Sequence, residues 1–99
     1  MKRPTFVLEL PVRPTADSQA SAAASGAYAN VFVLAKNADE ASDRVIAELA
    51  EAGWNSEEDP SVRQVTASDF ELGSRALEHF EQCQLDGLVI SLHTWRVDH

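Results

Sequence analysis

Apolar residues alternate in three stretches of the chain and recur at helical spacing in two others. In Thr5–Val12, Phe6, Leu8, Leu10 and Val12 share one side of an extended chain, with Val7 and Glu9 on the other. Tyr28–Lys36 sets Val31, Val33 and Ala35 against Phe32 and Leu34, so both its faces are apolar and it reads as a strand inside a sheet. Leu88–Val97 places Leu88, Ile90 and Leu92 opposite Val89, Ser91, His93, Trp95 and Val97. Helical spacing is clearest over Ala38–Ala52, where Ala38, Ala41, Val45, Ile46, Leu49 and Ala52 fall on one arc and acidic residues fill the rest. Asn37 followed three residues later by Glu40 has the form of a capping box, and Gly53 stands where the helix would stop.

A second helix is expected over Asp69–Gln84. Ser68 and Glu71 repeat the capping pattern, and Leu72, Ala76, Leu77, Phe80 and Cys83 share an arc. Gly73 lowers helix propensity by about 1 kcal/mol relative to Ala, which points to close packing there or to a late helix start. Trp54–Ala67 is extended but uneven, with Glu57-Glu58-Asp59-Pro60 as a turn in its middle. Two amphipathic helices and four or five strands bury their apolar sides most simply as an α+β two-layer sandwich, both helices on one face of a mainly antiparallel sheet. If Trp54–Ala67 is a hairpin turning at Pro60, Tyr28–Val97 reads strand, helix, strand, strand, helix, strand, the split βαβ order of ferredoxin-like domains. The first strand of that unit is central, so Thr5–Val12 is expected to find an edge elsewhere, and the strand order stays open.

The stretch AYANVFVLAKNADEASDRVIAELAEAGW, a strand followed by an Asn-capped acidic helix and a Gly-Trp exit, resembles the strand–helix unit of small bacterial ferredoxin-like α+β proteins. LDGLVISLHTW adds a final strand of general type. The resemblance covers about a quarter of the chain; it implies an architecture and a dimer, and carries no catalytic motif onto any residue here.

Composition narrows this reading. Ninety-nine residues suit one domain spanning 1–99. Of its 44% apolar residues 15 are Ala, seven of them between Ala16 and Ala29, so a modest set of larger side chains must make the core. Chains this short bury only about 60–65% of their unfolded surface, which favours support from a second subunit and predicts a homodimer. Residues 14–27 hold no bulky apolar side chain and read as a mobile Ala/Ser-rich loop; a short Ala-rich helix from Thr15 is the alternative. Lys2 and Arg3 before an apolar stretch have the order of a secretory leader, but Glu9, Pro11 and Arg13 interrupt it. No apolar run reaches the ~20 residues of a membrane span. A single cysteine, Cys83, excludes an internal disulfide and fits a reducing compartment, so a cytoplasmic location is expected.

The formal charge is −8, concentrated on the helices: residues 37–60 carry a net −7 and residues 69–86 a net −4. A solvated helical face accounts for this; a surface for a basic protein partner, as in immunity-type or regulatory modules, is the sharper alternative. Eight scattered Lys and Arg argue against nucleic-acid binding.

Candidate chemistry is sparse. His79 and Cys83 have the spacing of two metal ligands on one helix, but a third ligand is not evident, so no metal is expected. Cys83 lies on an apolar arc near a helix C-terminus, where the dipole disfavours a thiolate, so it reads as a core residue and no catalytic residue is assigned. No P-loop, GxGxxG, GxSxG or HExxH string occurs, and no cofactor is expected. The sheet face away from the helices is the best candidate surface, with Val7 and Glu9 from the first strand and Val89, His93, Trp95 and Val97 from the last. Left uncovered, that face needs a lid. The expected function is accordingly that of a non-enzymatic domain self-associating through its sheet. The alternatives are a binding module using its acidic helices, and a small-ligand protein or enzyme with a pocket at His93, Trp95 and Glu9.

Overall fold

The computed structural model describes residues 3–15 and 25–95. Strand β1 (Thr5–Pro14) and strand β2 (Gly26–Leu34) are followed by helix α1 (Ala38–Glu51). Two short strands, β3 (Trp54–Ser56) and β4 (Ser61–Val65), lead to a 3-10 turn at Ala67–Asp69, helix α2 (Arg75–Asp86) and strand β5 (Leu88–Trp95). The fold is α+β, with two helices layered on a five-stranded open sheet whose pairs are all antiparallel. The segment from β2 to β5 keeps the strand and helix order of a ferredoxin-like unit.

Three placements differ from the sequence reading. First, β1 does not sit at an edge. It lies in the middle, paired with β2 on one side and with both β3 and β4 on the other. Second, β3 and β4 do not form a hairpin with each other; they lie end to end along β1, β4 against Thr5–Glu9 and β3 against Val12–Pro14. The acidic Glu57–Pro60 stretch carries the chain between them, tied to β1 by an Arg13–Glu57 ion pair of 2.9 Å and a bond from the Glu57 amide to the Pro11 carbonyl. Third, the helices do not share a face. Leu8, Leu10, Val12, Val31 and Val33 pack with Ala41, Val45 and Leu49 of α1, whereas Val7, Phe32 and Val65 pack with Cys83, Phe80 and Ala76 of α2. Each helix makes its own helix-on-sheet layer, because Val7 and Phe32 face away from the α1 side and would be left wet by a single layer of helices.

Local signals explain the helix limits. The Asn37 side chain accepts from the Glu40 amide at 2.8 Å, and the Glu40 carboxylate reaches back to the Lys36 amide, one residue before the expected partner. Helix α2 begins at Arg75, not Asp69. Its cap is Ser74, which accepts from the Leu77 amide at 3.1 Å, while Thr66 and Asp69 close the preceding 3-10 turn. Gly73 adopts φ +81, a left-handed conformation that a continuous helix excludes, and Leu72 stands 95% exposed. The last turn of α2 ends at Gly87, φ +85, whose amide donates to the Cys83 carbonyl. Of the segment 14–27 expected as a loop, Pro14 belongs to β1 and Gly26 and Ala27 to β2; residues 16–24, on which the loop and the alternative Ala-rich helix both fall, lie outside the described residues. No helix among the described residues is long and apolar enough to cross a membrane.

Candidate ligand-binding cleft

The antiparallel register lays the α2 face out in rows. Arg63 of β4, Val7 of β1, Phe32 of β2 and Val89 of β5 form one row. Ser61, Glu9, Asn30 and Ser91 form the next, and Pro11, Tyr28 and His93 the one after. Helix α2 anchors over the first row and the sheet end beyond it, with Gln84 Nε2 donating to Thr5 Oγ1 at 2.8 Å. Only His93 of the third row reaches the helix; Tyr28 of that row and Trp95 of the row beyond lie outside, 42% and 44% exposed.

Between the first turns of α2 and this face lies a cleft of about 230 Å³. Its floor is Val7, Phe32, Asn30 and Ser91, with His93 at the mouth; its wall is Phe70, Arg75, Ala76 and His79, and Arg63 closes one side. The aromatic part is ordered by edge contacts: Phe32 meets Phe70 at 5.7 Å and the His79 ring at 5.9 Å, the latter nearly perpendicular.

The lining carries two arginines and no carboxylate, in a chain of net charge −8. Among the described residues neither Arg63 nor Arg75 forms an ion pair; the two pairs present are Arg3–Glu40 and Arg13–Glu57. Arg75 and Ala76 belong to the first turn of α2, whose unpaired amides carry positive partial charge. One further polar group is unusual: Asn30 Oδ1 is buried and has no hydrogen-bond partner, the single such side-chain atom among the described residues. Fixed positive charge, a hydroxyl from Ser91 and two imidazoles beside the apolar Val7, Phe32 and Phe70 can hold a small organic anion. Cys83 plays no part in the cleft. It is fully buried in the α2 core, and burial pushes its thiol up to about 11, with Asp86 adding to the rise and Arg44 opposing it.

Of the residues picked from sequence, the structure brings Val7 and His93 into the cleft. Val7 is 2% exposed on its floor, and His93 sits exposed at its mouth. Val89 packs half-buried with the α2 cluster. Glu9, half-buried, accepts from the Tyr28 hydroxyl at 3.5 Å and is not part of the lining. Trp95 lies over Gly26, also outside the cleft, and Val97 lies outside the described residues. The face expected to be without helical cover is thus half roofed by α2. Asn30, Arg63, Arg75 and His79 were not singled out for this site by sequence. Asn30 alone gave a signal, a lone amide in the middle of an otherwise apolar inner strand.

Comparison of the chain with protein-family models, with curated proteins and with solved structures finds no match.

Proposed function

We propose that this domain binds a small organic anion in the cleft between α2 and the sheet. The observation that carries the reading is the pair of arginines, free of ion pairs among the described residues, on a cleft lined by no acid in an acidic protein. Guanidinium groups without carboxylate partners are suited to a carboxylate or phosphate, which they can meet with two parallel hydrogen bonds. The volume lies below the ~300–1,000 Å³ of drug-sized sites, so the ligand is small, and the Phe32, Phe70 and Val7 surfaces favour one with a flat or apolar body. Binding, not catalysis, fits the chemistry present, because no hydrogen bond joins a nucleophile to a base among the cleft residues. Calorimetric titration with benzoate and with inorganic phosphate tests this. Benzoate is expected to bind, and the Arg63→Gln/Arg75→Gln double variant to weaken it at least tenfold. Absence of binding of either probe, or binding unchanged in the double variant, removes the reading.

Self-association is a second reading, and a different part of the sheet supports it better than the face does. The outer side of β5 pairs with no strand among the described residues. Its eight residues, LVISLHTW, contain no Lys, Glu, Asp or Pro, the usual guards of an open edge. The opposite edge, by contrast, is broken by the acidic turn between β3 and β4. A second copy adding its own β5 antiparallel would join two sheets into one. Light scattering at increasing concentration tests it: a mass of twice 10.8 kDa is expected, and a constant single-chain mass overturns it.

A further inference from the structure

We infer that the ligand of this cleft carries a hydrogen-bond donor, hydroxyl or amino, at the end opposite its acidic group, as in a para-substituted aromatic acid. The inference rests on the anion-binding reading above and specifies the ligand's other end. Asn30 Oδ1 is a carbonyl oxygen, able only to accept, and it is buried without a partner on the cleft floor. A buried acceptor left unsatisfied is costly, and in folded proteins nearly every such atom has a partner. The strand neighbours of Asn30 on this face are Glu9, whose carboxylate is an acceptor turned to Tyr28, and Ser91. Glu9 makes the floor at Asn30 unfavourable for an anion and favourable for a donor. The two ends of the cleft therefore ask for different groups, an acid at the arginines and a donor at Asn30.

Register fixes their separation. Arg63 and Asn30 are two strands apart and one row out of step, which places their Cα atoms about 12 Å from each other. Strand side chains stand roughly perpendicular to the sheet, so the two groups stay apart and the ligand's acid and donor belong at its opposite ends. Phe32 and Phe70 border the path between, so a ring is the natural spacer.

The experiment compares four acids by calorimetry on the full chain: benzoate, 4-methoxybenzoate, 4-hydroxybenzoate and 4-aminobenzoate. The last two are expected to bind about tenfold more tightly than the first two, since only they donate to Asn30. Their ratio to one another distinguishes a hydroxyl from an amino donor. In Asn30→Val the preference is expected to fall to within about twofold. If all four acids bind equally to the wild-type protein, water satisfies Asn30 and the inference fails with the anion site intact. If none binds, the anion-binding reading itself has failed. Should Asn30→Val not fold, the wild-type series alone decides, because it compares ligands on one protein.

Discussion

Replacing Val7 by alanine separates a sheet covered on both faces from one covered on a single face. Val7 is 2% exposed, packed with Phe32, Val65 and Cys83 beneath α2. The change removes two methyl-sized groups, worth about 1.6 kcal/mol at ~0.8 kcal/mol each. The hole they leave adds a cavity cost, lessened because one side already borders the cleft, so a total loss of about 2 kcal/mol is expected. For a domain of this length that lowers Tm by about 10 °C. Leu8→Ala, on the α1 face and 0% exposed, is expected to cost about 3 kcal/mol, while Ser61→Ala, exposed on the same face as Val7, should stay within ~0.5 kcal/mol. Urea unfolding followed by far-UV circular dichroism measures all three. If Val7→Ala costs less than ~0.5 kcal/mol while Leu8→Ala keeps its full effect, α2 does not roof this face and the cleft beneath it does not exist.

Two other changes test particular contacts. A Cβ at Gly26 would sit 2.6 Å from Cζ2 of Trp95, so Gly26→Ala should push the indole off the strand; in a Trp54→Phe background its fluorescence is expected to shift to longer wavelength, and an unchanged spectrum would show that the ring does not rest there. With its thiol raised to about 11 by burial, folded Cys83 holds roughly a hundredfold less thiolate at pH 8 than a thiol at its ordinary value of 9.0, and Ellman's reagent should react at least that much more slowly with native than with urea-unfolded protein. The same shift has a defined sign for stability. Below pH 9 the thiol is protonated in both states and the native advantage is intact; between about 9 and 11 the unfolded chain loses its proton first, so this contribution declines and has gone above 11. A urea midpoint that rises over that interval contradicts the burial of Cys83, with Cys83→Ala as the control for other titrating groups.

Strand and helix identities were legible because their periods are strong. Asn37 with Glu40 fixed the start of α1 to the residue. The start of α2 was misplaced because Ser68 and Glu71 imitate a cap, and only the left-handed Gly73 and the true cap at Ser74 reveal the later origin. Helix placement was not legible for a different reason. Alternation tells which residues share a face, not which helix covers it, and the decisive fact was that Val7 and Phe32 are as deeply buried as Leu8 and Val31. The cleft was hidden for the same cause: Arg63, Asn30 and His79 are separated along the chain and meet only once β1 is central and α2 crosses to its far face. His93 was found because a polar aromatic on an alternating strand must face outward from something.

A backbone change tests the β5 edge without disturbing the cleft. The Gly87 carbonyl accepts from the Leu34 amide and the Trp95 carbonyl from the Ser25 amide, so odd-numbered residues of this segment turn their peptide groups toward β2. Even-numbered residues, Leu88, Ile90, Leu92 and Thr94, then turn theirs outward, the alternation that an antiparallel ladder imposes. Thr94 is exposed and lines no part of the cleft, so Thr94→Pro removes an outward donor while leaving the bonds to β2 and the ligand site in place. Thr94→Val keeps that donor and controls for loss of the side chain. If two copies join through β5, Thr94→Pro should weaken the dimer at least tenfold by sedimentation or light scattering, with benzoate binding unchanged and Thr94→Val as dimeric as the wild type. A dimer that survives Thr94→Pro undiminished places the seam elsewhere on the molecule, and the unguarded edge then has to be explained by some other strand that covers it.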